Sequence, residues 1–141
     1  MPYEMFTLEW AAAWGRQINA SDAYRLAAQT WKWPVILTMK EDPALGLPER
    51  SIYLDLLKGE CRETRSASAE DFAETPFVLT ADPKTWKQVL DGELEPIPGI
   101  MRGRIRLTQG SLATLLPYVL AAKELVSAAT RVETLFPEGL S

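Results

Sequence analysis

Asp55 is the carboxylate whose sequence context best suits acid–base chemistry. It lies in residues 52–56, where apolar and polar residues alternate, so Tyr53 and Asp55 share one face of a predicted strand. Antiparallel sheets commonly leave one face to water, which predicts a solvated Asp55 without a catalytic role. The alternative is a small α+β enzyme in which Asp55 and a tyrosine, Tyr53 or Tyr118, transfer a proton inside an apolar pocket.

The other reactive side chains exclude several kinds of site. The sequence has no histidine and a single cysteine, Cys61. It therefore lacks a Ser-His-Asp or Cys-His pair, a histidine-containing metal site and a thiolate cluster for zinc or iron–sulfur. The glycine-rich motifs that bind nucleotide phosphates are also missing. We predict no catalytic residue, no metal and no cofactor.

The charge balance argues against nucleic acid as a partner. The 141 residues carry a formal net charge of -4, with a pI near 4.9, whereas binding to phosphates requires a basic surface. Arg102, Arg104 and Arg106 form the one basic cluster, and their alternation places them on one face of a predicted strand. We favour a solvated face, with contact to an anion as the alternative.

The features that report on location predict a cytoplasmic protein. Cys61 cannot form an internal disulfide, which is compatible with a reducing compartment. Residues 1–9 are acidic and lack the apolar centre of a signal sequence. No stretch approaches the ~20 uninterrupted apolar residues that span a bilayer. Contact with a membrane is therefore expected to be transient at most.

Two helices are predicted at the start of the chain. Apolar residues recur at helical spacing over residues 5–18, and Ser21 suits the cap of a second helix. The tryptophans of this region allow two interpretations: packing of the helices against a sheet, which we favour, or an aromatic wall beside an apolar ligand. These tryptophans are Trp10, Trp14, Trp31 and Trp33.

Five strands are predicted after these helices. Residues 35–39, 51–56 and 61–66 are separated by short turns, which indicates an antiparallel meander, and the polar composition of the third run suits a sheet edge. A fourth strand starts at Phe77. The alternation of polar and apolar residues over 103–108 predicts the fifth.

A helix is predicted between the fourth and fifth strands. Asp82 can accept a hydrogen bond from an unpaired backbone N–H, Pro83 fits the first helical position, and Gly92 can close the helix with a positive φ. An apolar link follows over residues 94–101. The final predicted helix, residues 111–132, is more apolar than a surface helix requires.

Residues 75–110 and the helix after them carry a family pattern. Its elements are the strand at Phe77, residues 81–86 at the helix start, residues 90–92 at the helix end, and residues 101–107. With the element order over nearly the whole chain, they make the sequence resemble the sterol carrier protein family of lipid-binding domains. The resemblance implies one domain, residues 1–141, with an α+β fold. Its single five-stranded, mixed and mostly antiparallel sheet would be covered by about five helices and enclose an apolar tunnel.

The resemblance also implies a function. The expected activity is non-covalent binding, and intracellular transfer, of a lipid such as a fatty acyl chain, an acyl-CoA or a sterol-like molecule, and no enzymatic activity. The final helix is a candidate lid because Pro117 predicts a kink in it. The candidate ligand-binding residues are Phe77, Trp86, Leu90, Ile97, Ile100, Met101, Ile105, Leu112, Leu115, Leu116, Val119 and Leu120.

The remaining expectations concern partners. A lipid or another apolar small molecule is the expected ligand, and its anionic head group could meet the arginine cluster or Arg16. The protein is expected to be a monomer or a homodimer, the dimer forming through the apolar last helix. Residues 109–111 depart from the Gly-Asp turn that is usual in the family, so no head-group contact is assigned there.

Overall fold

The computed structural model describes residues 2–140, so the predicted domain limits at residues 1 and 141 lie outside the described residues. Single turns of 3-10 helix lie at Pro43–Leu45 and Leu116–Tyr118. The strands and α-helices follow in this order: β1 (Tyr3–Glu4), α1 (Leu8–Asn19), α2 (Asp22–Ala27), β2 (Val35–Met39), β3 (Arg50–Leu57), β4 (Glu60–Ser66), α3 (Ala69–Glu74), β5 (Phe77–Ala81), α4 (Pro83–Leu90), α5 (Pro96–Met101), β6 (Arg106–Gln109), α6 (Leu112–Leu115), α7 (Val119–Thr130) and β7 (Thr134–Leu135).

The main sheet has the strand order β4-β3-β2-β5-β6. β2, β3 and β4 form the predicted antiparallel meander, with the polar strand β4 at the edge. β5 pairs with β2 in parallel and with β6 antiparallel. The predicted α+β fold with a mixed, mostly antiparallel five-stranded sheet is therefore confirmed. A separate parallel pairing joins β1 to β7.

The core lies between one face of this sheet and the helices that pack on that face. Along β3 the side chains of Ile52, Leu54 and Leu56 are buried, whereas Tyr53 and Asp55 are only partly buried. This is the alternation expected of a strand with one face in the core. α1 packs against β4, and Gly15 permits the approach because a Cβ atom there would lie 2.9 Å from Thr64 Cγ2.

Two helix starts are confirmed with their predicted caps. The Ser21 side chain accepts the backbone N–H of Tyr24 (3.0 Å) at the start of α2. The Asp82 side chain accepts the backbone N–H of Thr85 (2.7 Å) at the start of α4, where Pro83 is the first helical residue. Each cap satisfies a donor that a helix N-terminus leaves without an intrahelical partner.

The predicted start of the first helix, at residue 5, is wrong. α1 begins at Leu8, where the Thr7 side chain accepts the backbone N–H of Trp10 (3.3 Å). Phe6 has a φ of 61° and cannot continue a helix backward. The residues before Thr7 instead include β1, whose partner strand β7 lies at the other end of the chain.

The apolar link and the fifth strand also differ from prediction. Residues 94–101 contain the helix α5, and β6 begins only at Arg106. Between them, Gly103 has a φ of 75°, and the backbone N–H groups of Arg104 and Ile105 donate to the Gly99 carbonyl (2.9 and 3.1 Å). A turn therefore replaces the first half of the predicted strand. The three arginines are exposed as expected, but they do not share one strand face.

The final helical segment is interrupted where Pro117 predicts a kink. The 3-10 turn Leu116–Tyr118 separates α6 from α7, because a proline cannot donate the hydrogen bond that a continuous helix needs. Leu112–Thr130 is long and apolar enough to cross a membrane, judged by length and composition alone. Core helices of soluble proteins meet the same two criteria. Ala121, Ala128 and Ala129 of this segment are buried in the protein core.

Asp71 makes stability depend on pH below pH 4. Hydrogen bonds from Arg65 (2.5 Å) and from the Ser68 backbone N–H (2.9 Å) lower the pKa of Asp71 to about 2 from its ordinary 3.8. A carboxyl group with a lowered folded-state pKa stabilises the fold above its unfolded pKa, and this contribution is lost as the pH falls through the folded value. Asp71→Asn is therefore expected to lower stability at pH 7 and to flatten its decline from pH 4 to pH 2.

Urea denaturation of both proteins across this pH interval is the measurement. Glu70→Gln is the matched control, because Glu70 is exposed on the same helix and has no ion pair among the described residues. Identical pH profiles for Asp71→Asn and the wild type would contradict this role for Asp71.

Candidate functional site

An apolar cavity of about 100 Å³ lies between the sheet and the helices that cover it. The strands contribute Val35, Leu37, Leu56 and Leu79 to its walls. No Asp, Glu, Lys or Arg side chain of residues 2–140 lines it. Because a buried charge needs a partner, these walls suit an uncharged, apolar occupant.

Aromatic rings form the second wall of the cavity. Trp10 stacks on Phe6, with ring centroids 5.2 Å apart, and lies 5.2 Å from Trp14. Trp86 extends this cluster from α4, with its ring 5.3 Å from Phe6. All four rings line the cavity, and large rigid rings of this kind present much apolar surface at little cost in conformational entropy.

The third wall is α7, which presents small side chains to the cavity. Ala121, Ala122 and Ala129 line it together with Leu125 and Val126. These positions follow the spacing of one helix face. Alanine methyl groups extend only a short way from the helix, so they leave space between α7 and the sheet. Larger residues at these positions would occupy it.

The structure brings four of the twelve predicted ligand-binding residues to the cavity wall: Trp86, Leu90, Ile97 and Leu115. Phe77 and Ile105 are buried elsewhere, Phe77 against the rings of Trp31 and Trp33. Ile100 and Leu112 are partly buried against the core. The remaining four are exposed at the surface: Met101, Leu116, Val119 and Leu120.

The twelve predicted ligand-binding residues include none of the wall residues that come from α1, the strands and the inner face of α7. Three of the four tryptophans discussed above, Trp10, Trp14 and Trp31, line the cavity, whereas Trp33 does not. The signal for α7 was available in the recurrence of Ala121, Leu125 and Ala129 at helical spacing. Alanine side chains add little apolar bulk, so a prediction based on large apolar residues does not identify them.

Asp55, the candidate acid–base residue, lies outside the cavity wall. Arg62 donates to both of its carboxylate oxygens (3.2 and 3.3 Å). Tyr53, on the same sheet face, packs beneath the guanidinium of Arg65, 4.0 Å from its ring centroid. Burial, followed by the nearby carboxylate of Asp55, raises the pKa of Tyr53. The arrangement is that of a salt-bridged outer sheet face.

The fold and the cavity define the class of protein: a small α+β domain whose helices and sheet enclose an apolar space. Two solved structures are similar to it over almost their full length. One is the crystal structure of sterol carrier protein 2, with 45% identity, coverage of 92% of this chain and 99% of that chain, and a TM-score of 0.83. The other is a conserved hypothetical protein of Thermus thermophilus, described as possibly a sterol carrier protein, with 44% identity, coverage of 94% and 92%, and a TM-score of 0.84.

The chain belongs to the sterol carrier protein family. The apo form of sterol carrier protein 2 from Yarrowia lipolytica shares the fold at 13% identity, with a TM-score of 0.57 and coverage of 89% of this chain and 97% of that one. No family model matches the sequence, and no curated protein matches it. The family supports lipid or sterol binding and transfer as the general activity, and the matched proteins are named as carriers rather than as enzymes.

Proposed function

We propose that this chain binds the hydrocarbon part of a lipid non-covalently in the cavity beneath α7. The ligand would be a fatty acyl chain, an acyl-CoA or a sterol-like molecule. It would contact Trp86, Leu90, Ile97 and Leu115, the four predicted residues that line the cavity. The observation that carries the proposal is a cavity with apolar walls and no charged side chain among the residues that line it. No chemical step is required.

The energetics favour a chain inside the cavity and a head group outside. Each methylene removed from water contributes about 0.8 kcal/mol, offset in part by the ordering of the chain. An ionised head group within these walls would have no cation to compensate for its lost hydration. A carboxylate or phosphate is therefore expected at the surface.

A whole lipid requires the cavity to widen. Its volume of about 100 Å³ is below the roughly 300–1,000 Å³ of ordinary ligand sites. We expect α7 to move about the 3-10 turn Leu116–Tyr118, because hinges lie at such interruptions. In this account the tunnel implied by the resemblance forms when α7 moves away from the sheet.

The exposed apolar residues suit a transient contact during transfer. Met101 and Leu120 are 65% and 60% exposed, and Leu116 and Val119, which are near Leu120 in the chain, are also exposed. We expect these residues to touch the membrane when lipid is loaded or released in the cytoplasm. A homodimer formed through the same surface is the alternative, and sedimentation at several protein concentrations distinguishes the two.

The alternative of an acid–base enzyme has less support. Asp55 is paired with Arg62 and lies away from the cavity. Tyr118 does line the cavity, but its hydroxyl is hydrogen-bonded to Thr30. A general acid or base must reach its substrate directly or through one water. Neither pairing of Asp55 with Tyr53 or Tyr118 provides this within the cavity.

The test is a titration of tryptophan emission with palmitate below its micellar concentration. A saturable change is expected because Trp10, Trp14, Trp31 and Trp86 line the cavity. Acetate, which has a carboxylate without a chain, is expected to leave the emission unchanged. Unchanged emission with palmitate, an acyl-CoA and cholesterol alike would overturn the proposal.

A further inference from the structure

The cavity walls contain six side chains that can form hydrogen bonds, and most of them are already paired. Four are tryptophans, and each indole N–H donates to a protein oxygen. Trp10 donates to Thr134 Oγ1 (2.9 Å), Trp14 to the Leu125 carbonyl (3.0 Å), Trp31 to the Trp33 carbonyl (2.6 Å) and Trp86 to the Thr38 carbonyl (2.9 Å). An indole has no second donor, so these groups cannot serve a ligand.

The remaining two are tyrosines, and only one of their hydroxyl groups is hydrogen-bonded to the described part of the protein. The Tyr118 hydroxyl is 2.9 Å from Thr30 Oγ1 and 3.2 Å from the Thr30 carbonyl. The Tyr24 hydroxyl makes no hydrogen bond with any group of residues 2–140. Of the described residues that line the cavity, Tyr24 is thus the one whose side-chain hydrogen-bonding group is unused.

Tyr24 is buried, but its hydroxyl oxygen is not fully occluded. The residue is 2% exposed and lines the cavity. Every fully occluded side-chain nitrogen or oxygen of residues 2–140 has a hydrogen-bond partner. Since the Tyr24 oxygen has none, it is not fully occluded, and Tyr24 is one of the residues that line the cavity. Burial raises the pKa of Tyr24, so the phenol stays neutral.

We propose that the Tyr24 hydroxyl binds an uncharged hydroxyl group at the buried end of the ligand. This inference rests on the proposed lipid-binding function and narrows its ligand class to lipids that carry a neutral hydroxyl, such as a long-chain alcohol or another hydroxylated lipid. A phenol can both donate to such a group and accept from it. A carboxylate is disfavoured at this position because no cationic side chain lines the walls to compensate its charge.

The experiment compares decanol with decyl chloride, which matches its length but has no hydroxyl. Dissociation constants are obtained by displacement of a fluorescent apolar dye from the wild type, from Tyr24→Phe and from Tyr118→Phe. We expect Tyr24→Phe to reduce the preference for decanol over decyl chloride roughly five- to tenfold, the effect of one hydrogen bond. In Tyr118→Phe both constants should shift together, because the Tyr118 hydroxyl is already occupied by Thr30.

The outcomes separate this inference from the function on which it rests. A preference that is the same in Tyr24→Phe and in the wild type would overturn the role of Tyr24 and leave lipid binding standing. Displacement by neither compound, nor by palmitate, would overturn lipid binding itself. Tyr24→Phe should also unfold at the same temperature as the wild type or higher, since the hydroxyl that it removes has no protein partner; a clear decrease would contradict the inference.

Discussion

Ala121→Leu is expected to weaken palmitate binding while the protein stays folded. Ala121 is buried and lines the cavity from α7, so an added isopropyl group enters space of about 100 Å³ that is otherwise open. Because the leucine is buried there without displacing neighbours, the free energy of unfolding should change by less than about 1 kcal/mol, whereas overpacking a filled core costs about 1–3 kcal/mol. Palmitate affinity should fall at least about tenfold, or ~1.4 kcal/mol.

Two further alanine-to-leucine variants serve as controls. Ala113→Leu adds the same group on an exposed position of α6 and should change neither stability nor binding. Ala128→Leu adds it at a buried position of α7 that does not line the cavity, and it should destabilise the fold by overpacking. Wild-type palmitate affinity in a folded Ala121→Leu protein would place the lipid elsewhere.

Trp86→Ala is expected to be the most destabilising single substitution of those considered. The ring is buried, packs against Phe6 and donates its N–H to the Thr38 carbonyl of the central strand (2.9 Å). Replacement of a buried tryptophan by alanine costs about 3–5 kcal/mol, a large share of the ~5–15 kcal/mol that stabilises a typical domain. Urea denaturation followed by circular dichroism measures the loss.

Trp33→Ala is the matched control for this prediction. Trp33 is only partly buried and its ring does not line the cavity, so its loss should cost less than half as much. Trp86→Phe keeps an aromatic ring but removes the N–H, and it should fall between the wild type and Trp86→Ala. Equal losses for Trp33→Ala and Trp86→Ala would contradict the central position assigned to Trp86.

The elements that could be predicted from sequence are those in which a few neighbouring residues determine the backbone. Asp82 and Pro83 set the start of α4, since one caps the helix and the other fits its first turn. The alternation along residues 52–56 identified both β3 and its buried face. In each case the decisive interactions are local, and local patterns are visible in a sequence.

The errors arose where the backbone is set by contacts that do not appear in the pattern of adjacent residues. The alternation over residues 103–108 suits a strand, but Ile105 instead packs on Gly99, where a Cβ atom would lie only 2.9 Å from Ile105 Cδ1. The short strand β1 exists because β7 pairs with it from the other end of the chain. Neither contact can be predicted from the alternation of polar and apolar residues.

The candidate site was predicted only in part for a similar reason. Large apolar residues of the last helical segment were selected, yet Leu116 and Leu120 point to the surface and are exposed. The inner face of α7 is instead lined by alanines. A cavity forms where the side chains that face it are small, whereas a search for large apolar residues selects positions where side chains fill space. Apolar content alone therefore cannot distinguish residues of the cavity wall from exposed apolar residues.

The departure from the family pattern at residues 109–111 has a structural explanation. The Gln109 side chain donates to the carbonyls of Phe72 (3.0 Å) and Thr75 (2.8 Å), which links β6 to α3 and to the connection before β5. Gly110 has a φ of 109°, and a Cβ atom there would lie 2.5 Å from Phe77 Cδ1. These residues secure the packing of the sheet edge and do not line the cavity.

The central claim is that a lipid chain occupies the space between α7 and the sheet. Nuclear Overhauser effects between bound palmitate and the isotope-labelled protein test it most directly, because they report which side chains lie within a few ångströms of the chain. We predict contacts from the palmitate methylenes to the methyl groups of Ala121 and Ala129 and to the ring of Trp86. Contacts confined to the exposed side chains of Met101 and Leu120, with none to the alanines, would contradict the account.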